Sequence, residues 1–188
     1  MKVFQINSFG NLSTGSIACG LYKTLNEEGD DGIIAYGRGH IEKGIPNIRV
    51  SSNWSILTDG LFSRFTDHAG FFSKAETIKL IKQIETYQPD IVHLHNLHGY
   101  YINIELLFQY LKTSGVPVIW TLHDCWAYTG HCCYYSMNQC YKWKVHCHSC
   151  KYKKSYPESI VCDSEHNSDR KRNLILPLRN LTLVGVSE

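Results

Sequence analysis

The chain has 188 residues, enough for one well-buried α/β domain and too few for two full ones. Hydrophobic residues make up 43% and charged residues 19%, which excludes a disordered chain, and a net charge of +2 excludes a protein whose whole surface grips nucleic acid. No apolar run reaches the roughly 20 residues that span a bilayer, and the chain opens on a strand instead of a secretory signal, so the expected compartment is the cytoplasm.

In chain order, residues 3–6 read as a buried strand running into a polar, glycine-rich turn at 7–15. Residues 16–28 follow as a helix with Ile17, Leu21 and Leu25 along one face, stopped by Gly29. A second strand at 32–36 completes a right-handed, parallel β-α-β unit. From 40 to 73 the pattern weakens to a short strand at 48–50 and a helical stretch holding Trp54, Leu57, Leu61 and Phe65. A helix at 74–87 carries Ile78, Ile81 and Ile84 on one face, and Gln88-Pro89-Asp90 breaks it before a strand at 90–94. Asn103 is the N-cap of a helix through Lys112 with Ile104, Leu107, Phe108 and Leu111 facing inward, and Gly115 ends it. Residues 116–121 form a strand covered on both faces.

Residues 125–157 break this alternation with six of the eight cysteines, eight Trp or Tyr residues and few aliphatics, the composition of an inserted lobe. A helix near 163–176 and a strand at 181–186 resume it, and Ser187-Glu188 falls where a further loop would begin. The fold class is α/β: one domain over 1–188, an open parallel sheet wound on both faces, with a Cys/aromatic-rich insertion at 125–157.

In such a sheet the loops that follow the strands share one edge, where small charged molecules bind. Gly10, Asn11, Thr14 and Gly15 lie between strand and helix, so backbone N–H groups and the helix dipole face a phosphate there, or else the segment is a plain flexible turn. It matches neither the G-x-G-x-x-G fingerprint nor a Walker A loop. Period-two alternation puts His93 and His95 on one side of their strand. His93 reads as a hydrogen-bonded core residue, while His95 and His98 are placed to bind sugar hydroxyls or handle a proton. His123 follows a very apolar strand and precedes Asp124. Either it packs beneath a cap made by Asp124, or it emerges at the same edge as the glycine turn; its position favours the second. The pattern points to a sugar-phosphate or nucleotide-sugar enzyme.

Cys147-His-Ser-Cys150 is a C-x2-C half-site for tetrahedral zinc, and Cys132 or Cys133 with Cys140 could complete it. Disulfides, which a reducing compartment disfavours, and free buried thiols are the alternatives. Lys142, Lys144, Lys151, Lys153 and Lys154, with no Asp or Glu between 125 and 157, make the lobe locally basic. That is a solvated face, or a surface on which Trp143 and Tyr152 meet bases or anionic lipid head groups.

The runs Pro89-Asp-Ile-Val-His-Leu-His-Asn-Leu-His-Gly-Tyr-Tyr-Ile-Asn103 and Pro117-Val-Ile-Trp-Thr-Leu-His-Asp-Cys-Trp-Ala-Tyr-Thr-Gly-His131, with Cys-Tyr-Lys-Trp-Lys at 140–144, Asn11-Leu-Ser-Thr-Gly15 and Ala35-Tyr-Gly-Arg-Gly39, resemble a known family. The chain resembles the N-terminal, acceptor-side half of retaining glycosyltransferases of family 4, of the GT-B type with two Rossmann-like domains across a cleft. It is most similar to a bacterial subgroup that builds surface polysaccharides, and the likeness covers essentially the whole chain.

The resemblance implies that His123 is the active-site histidine near the transferred sugar and that the Gly10–Gly15 turn, with Asn11 and Thr14, approaches the donor diphosphate. His95, Asn96, His98 and Asp124 would line the same cleft. It implies a nucleotide-diphosphate sugar as donor, a glycan or lipid-linked acceptor, no catalytic metal, no nucleic-acid partner and work at the inner face of the cell membrane. In the family a donor-binding domain with a glutamate pair follows, so a chain ending at Glu188 is expected to bind donor weakly and turn over little. The competing expectation is a non-enzymatic, zinc-stabilised α/β module that docks a polyanion or a protein.

Overall fold

The computed structural model describes residues 1–186; Ser187-Glu188, read as the start of a further loop, lie outside them. Six strands, β1 (Lys2–Phe9), β2 (Asp31–Arg38), β3 (Asn47–Arg49), β4 (Ile91–Leu94), β5 (Val118–Leu122) and β6 (Leu181–Gly185), form one sheet in the order β3-β2-β1-β4-β5-β6. Every neighbouring pair is parallel. The helices are α1 (Leu12–Glu27), α2 (Asn53–Thr66), α3 (Lys74–Tyr87), α4 (Ile104–Ser114) and α5 (Ser164–Ile175). This is the Rossmann-like, doubly wound arrangement the alternation predicts. The strand order reverses direction between β1 and β4, the kind of switch point outside whose carboxyl ends such sheets bind ligands.

Two local readings change. Residues 7–9, expected in the turn, continue β1 because the ladder with β2 runs on to Phe9 beside Arg38, so the turn itself is short. The inward face of α1 is also not the one its large apolar residues mark: Ile17 and Leu21 are exposed, while Thr14, Gly15, Ala18 and Cys19 are buried. Close approach to the sheet explains this, since a side chain added at Gly15 would sit 2.8 Å from the Phe9 carbonyl oxygen. Helix α3 likewise buries Thr77, Leu80 and Ile84 and leaves Ile78 exposed. Helix α4 follows the sequence reading in full. The Asn103 side chain accepts from Leu106 N at 3.0 Å, Ile104, Leu107, Phe108 and Leu111 are buried, and Gly115 takes the left-handed conformation at φ 68°.

Phe4, Ile6, Leu94, Leu107 and Trp120 belong to the larger core, and Ala18, Cys19, Ile34 and Ile45 to a smaller one under α1. Helix α2 buries Ile56, Asp59 and Ser63 but turns Trp54, Leu57, Leu61, Phe62 and Phe65 outward, Trp54 being 76% exposed. Residues 125–157 contain no strand or α-helix, only a 3-10 turn at Lys142–Lys144. Aromatic contacts organise this segment: the Trp143 ring lies 4.9 Å from that of Tyr128 and 5.0 Å from that of Tyr135. All eight cysteines are free thiols.

Candidate active site

The parallel register sets Gln5 beside His93 and His93 beside Ile119. Alternation then carries Gln5 and Asn7, His93 and His95, and Ile119 and Thr121 along one face of three neighbouring strands, with His123 just beyond β5. His95 is fixed on four sides. Its backbone N–H donates to Ile6 O, its carbonyl accepts from Trp120 Nε1 at 2.7 Å, its Nε2 lies 3.1 Å from Gln5 Oε1, and its Nδ1 lies 2.9 Å from His123 Nε2. His93 stacks on it with ring centroids 4.3 Å apart and meets Thr121 Oγ1 at 2.8 Å. His93, read as a hydrogen-bonded core residue, is hydrogen-bonded but only partly buried, whereas His95, read as a ligand for sugar hydroxyls, is 1% exposed with both ring nitrogens engaged inside the protein, so it reaches the cleft only through His123.

Asn7 joins the glycine turn to this row. Its Oδ1 accepts from Thr14 Oγ1, Ser8 N and Asn96 N, so Thr14 and Asn96 meet at one buried amide. Thr14 therefore spends its hydroxyl inside the protein. Gly10 donates its N–H to Arg38 O, and a side chain at Gly10 would strike His40 O at 2.8 Å, so this glycine serves packing. Asn11 precedes α1 without capping it, its amide reaching instead toward His40 Nδ1. Leu12 and Ser13 hold positive φ, which kinks the first turn of the helix.

His98 and Asp124 form a second pair behind the first. His98 Nε2 lies 2.6 Å from Asp124 Oδ2, His98 Nδ1 lies 3.2 Å from Tyr156 OH, and Asp124 Oδ1 accepts from Trp126 N. Asp124 thus does cap the chain that follows, yet His123 is not packed away beneath it. A residue of the cysteine-rich segment, Tyr156, completes the network, and burial pushes its hydroxyl well above the usual phenol range. Sequence reasoning missed Gln5, Asn7, Thr121, Tyr156 and Arg38.

Burial sets the protonation of the row. It lowers His95 to about 2, helped by His93 and His123, lowers His93 to about 4, helped by His123, and lowers His123 as well. All three rings are neutral near pH 7. In the unfolded chain these imidazoles take up protons near pH 6.5, so between about 6.5 and 4 the unfolded state binds more protons and stability falls as pH falls. Asp59, raised to about 6 chiefly by burial, offsets one histidine in this window. We expect stability to drop by about 1.4 kcal/mol per pH unit for each net proton. Urea titrations at several pH values check this. His93→Gln should flatten the slope, and greater stability at about pH 5 than at pH 7 would refute the protonation scheme.

The cysteines sort themselves. Cys132, Cys140, Cys147 and Cys150 line one small cavity of about 20 Å³, with His148 beside them. Cys133 is instead buried in the core near His98 and Asp124. Among the described residues, three ligand atoms come within 4.8 Å of one another only at His68, Asp163 and His166 and at His98, Asp124 and Cys133. The four thiols therefore ring the cavity without closing on its centre.

No family model matches the chain. It is 26% identical over 198 aligned residues, 96% of its length, to the Escherichia coli (strain K12) protein named "Putative colanic acid biosynthesis glycosyl transferase WcaC". It spans 45% of that protein, less than half the length of the curated relative it matches. Among solved structures it is similar to glycosyltransferase VinC in complex with DTDP, with TM-score 0.44, 16% identity, and coverage of 64% of this chain and 34% of that one. It is also similar to the Streptomyces sp. SF2575 glycosyltransferase SsfS6, with TM-score 0.41, 13% identity, and coverage of 65% and 40%.

Proposed function

We propose that this chain is the acceptor-side half of a GT-B glycosyltransferase of family 4, which moves a hexose-type sugar from a nucleotide-diphosphate donor to a lipid-linked glycan with retention of configuration. The carrying observation is the neutral His95–His123 pair at the sheet's carboxyl edge, beside the switch point between β1 and β4. Sequence similarity to a glycosyl transferase along nearly the whole chain supports it.

In this reading the donor diphosphate lies toward the kinked start of α1, where first-turn N–H groups and the helix dipole stabilise the negative charge that develops as the sugar leaves. The Thr14 hydroxyl and the Gly10 N–H are already engaged, so neither is among the groups that meet the diphosphate. His123 holds a hydroxyl of the reacting sugars. The acceptor enters along a groove of about 590 Å³ between α2 and the turn at Tyr156 and Glu158. Arg38 stands on its wall, its guanidinium 5.3 Å from the Tyr100 ring, a cation suited to an acceptor phosphate. The exposed apolar face of α2 leads into that groove and suits a lipid tail at the inner face of the membrane. Among the described residues no helix is long and apolar enough to cross a membrane. Incubation of the full enzyme with labelled nucleotide sugars and membrane lipid extract should give labelled glycolipid. Saturable donor binding with no transfer to any lipid or glycan would count against the reading.

The cysteine cavity fits a structural zinc held by Cys132, Cys140, Cys147 and Cys150, since four thiolates suit a closed tetrahedral site and the cavity has room for one small ion. Zinc would draw the sulfurs inward to about 2.3 Å. His131 is committed elsewhere, its Nδ1 against Asp67. Protein purified in reductant without added metal is expected to carry about one zinc per chain, lost in the double variant Cys147→Ser/Cys150→Ser and kept in Cys19→Ser. Metal-free, stably folded protein would refute it. Zinc alone fits a non-enzymatic docking module equally well, and sugar transfer is what separates the two readings.

A further inference from the structure

We infer that Gln5 and His95 are positioning residues that fix the proton of His123 on Nε2, leaving its Nδ1 a standing acceptor for a substrate hydroxyl. The argument runs along one chain of hydrogen bonds. Gln5 is fully buried in β1, and its Nε2 donates to the carbonyl of Ala18 in α1 at 3.1 Å. A carbonyl can only accept, so this contact settles which end of the Gln5 amide is nitrogen, and Oε1 faces His95 Nε2 at 3.1 Å. An amide oxygen carries no proton, so His95 Nε2 must donate.

His95 is 1% exposed and neutral, so it has a single ring proton, and that proton is now assigned. Its Nδ1 is a bare lone pair 2.9 Å from His123 Nε2, which must therefore be the donor. His123 is also held neutral by burial, so its Nδ1 carries no proton. His123 is only half-buried, and among the described residues that atom has no hydrogen-bond partner and is not one of the buried, unsatisfied atoms. The groups packed round the chain agree with this assignment: His93 stacks on His95 with its own Nε2 on Thr121, and Asp124 is turned to His98.

The consequence is selectivity by polarity. An open, unprotonated ring nitrogen accepts from an O–H and cannot donate to a carbonyl or phosphate oxygen, so it sorts hydroxyls from anionic groups at the sheet's edge. Helix α1 enters through the Ala18 carbonyl, in its second turn, which ties the donor-side helix to the proton position on the acceptor-side histidine. This inference rests on the glycosyl-transfer reading only in taking the hydroxyl to be a sugar's.

The direct test is a long-range proton–nitrogen NMR correlation on the whole chain with nitrogen-15-labelled histidine near neutral pH, assigned with single histidine substitutions. The expected pattern is a protonated Nε2 and a bare Nδ1 on both His95 and His123. A proton on Nδ1 of either ring, or exchange between tautomers at His123, overturns the inference. Gln5→Met, which removes the acceptor, should abolish the single pattern at His123, whereas Gln5→Glu, which keeps an oxygen toward His95, should retain it. If Gln5→Met does not fold, the spectrum of the unaltered chain still decides. The measurement needs no sugar: transfer with the wrong tautomer sinks this inference alone, and the right tautomer with no transfer sinks the functional reading alone.

Discussion

Replacing His123 with alanine in the full enzyme is expected to slow sugar transfer by about 10²- to 10³-fold while leaving the domain folded. The ring is half-buried, packs on His95 at a centroid distance of 5.2 Å and offers the row's open acceptor atom. Its removal leaves His95 Nδ1 facing a small void that water can fill, so the structural cost is modest next to the catalytic one. The loss should fall on kcat more than on KM if the contact tightens as the glycosidic bond breaks. Asn in place of His keeps an amide N–H for His95 and an oxygen that can accept, and it should recover part of the rate. Initial rates with the donor at saturation decide the matter. A variant within twofold of the unaltered enzyme would remove His123 from the mechanism.

The second large effect concerns the attachment of the cysteine segment. Asp67 ends α2 in the left-handed conformation at φ 65°, and its carboxylate accepts from His131 Nδ1 at 2.5 Å and from Asp163 N at 2.8 Å. Its carbonyl accepts from Asn167. Asp67 and His131 are almost wholly buried, so one side chain fastens α2 to the segment carrying the cysteines and to the start of α5. Asp67→Ala strands one buried and one part-buried donor and puts alanine at a positive φ; it is expected to cost about 3–5 kcal/mol. Asp67→Asn tolerates the backbone and keeps one acceptor, so it should cost about half as much. Denaturant midpoints measure the two losses, and proteolysis should attack the cysteine segment first. Equal stability of the alanine variant and the unaltered chain would show that the segment is held by other contacts.

The strands, α4 with its cap and terminator, and the meeting of His95 with His123 were all legible in the sequence, because each rests on a local rule: period two in a strand, Asn before a helix, glycine after it. Helix α1 was misread for a nonlocal reason. The face that packs is chosen by how closely the helix must approach β1, so Gly15 and Ala18 outrank Ile17 and Leu21, and no tally of apolar residues reveals that distance. Gln5 and Asn7 carried a signal that went unused: polar amides inside an otherwise apolar first strand must find buried partners, and here those partners are the site itself. Tyr156 could not have been found by spacing, since it returns to His98 from 58 residues away through a stretch without regular structure. The choice between Cys132 and Cys133 was open for the same reason and closes only when one thiol is seen in the core and the other at the cavity.

The last strand has a consequence of its own. Among the described residues β6 pairs with β5 along one side only, and Leu183, Val184 and Val186 are exposed, whereas β3 at the opposite margin is only three residues long. An exposed, uncharged border of this kind offers its amides to any stray extended peptide. Concentrated solutions of the 188-residue chain will therefore tend to zip molecules together margin to margin, and a lysine at Leu183 is the simplest way to discourage it.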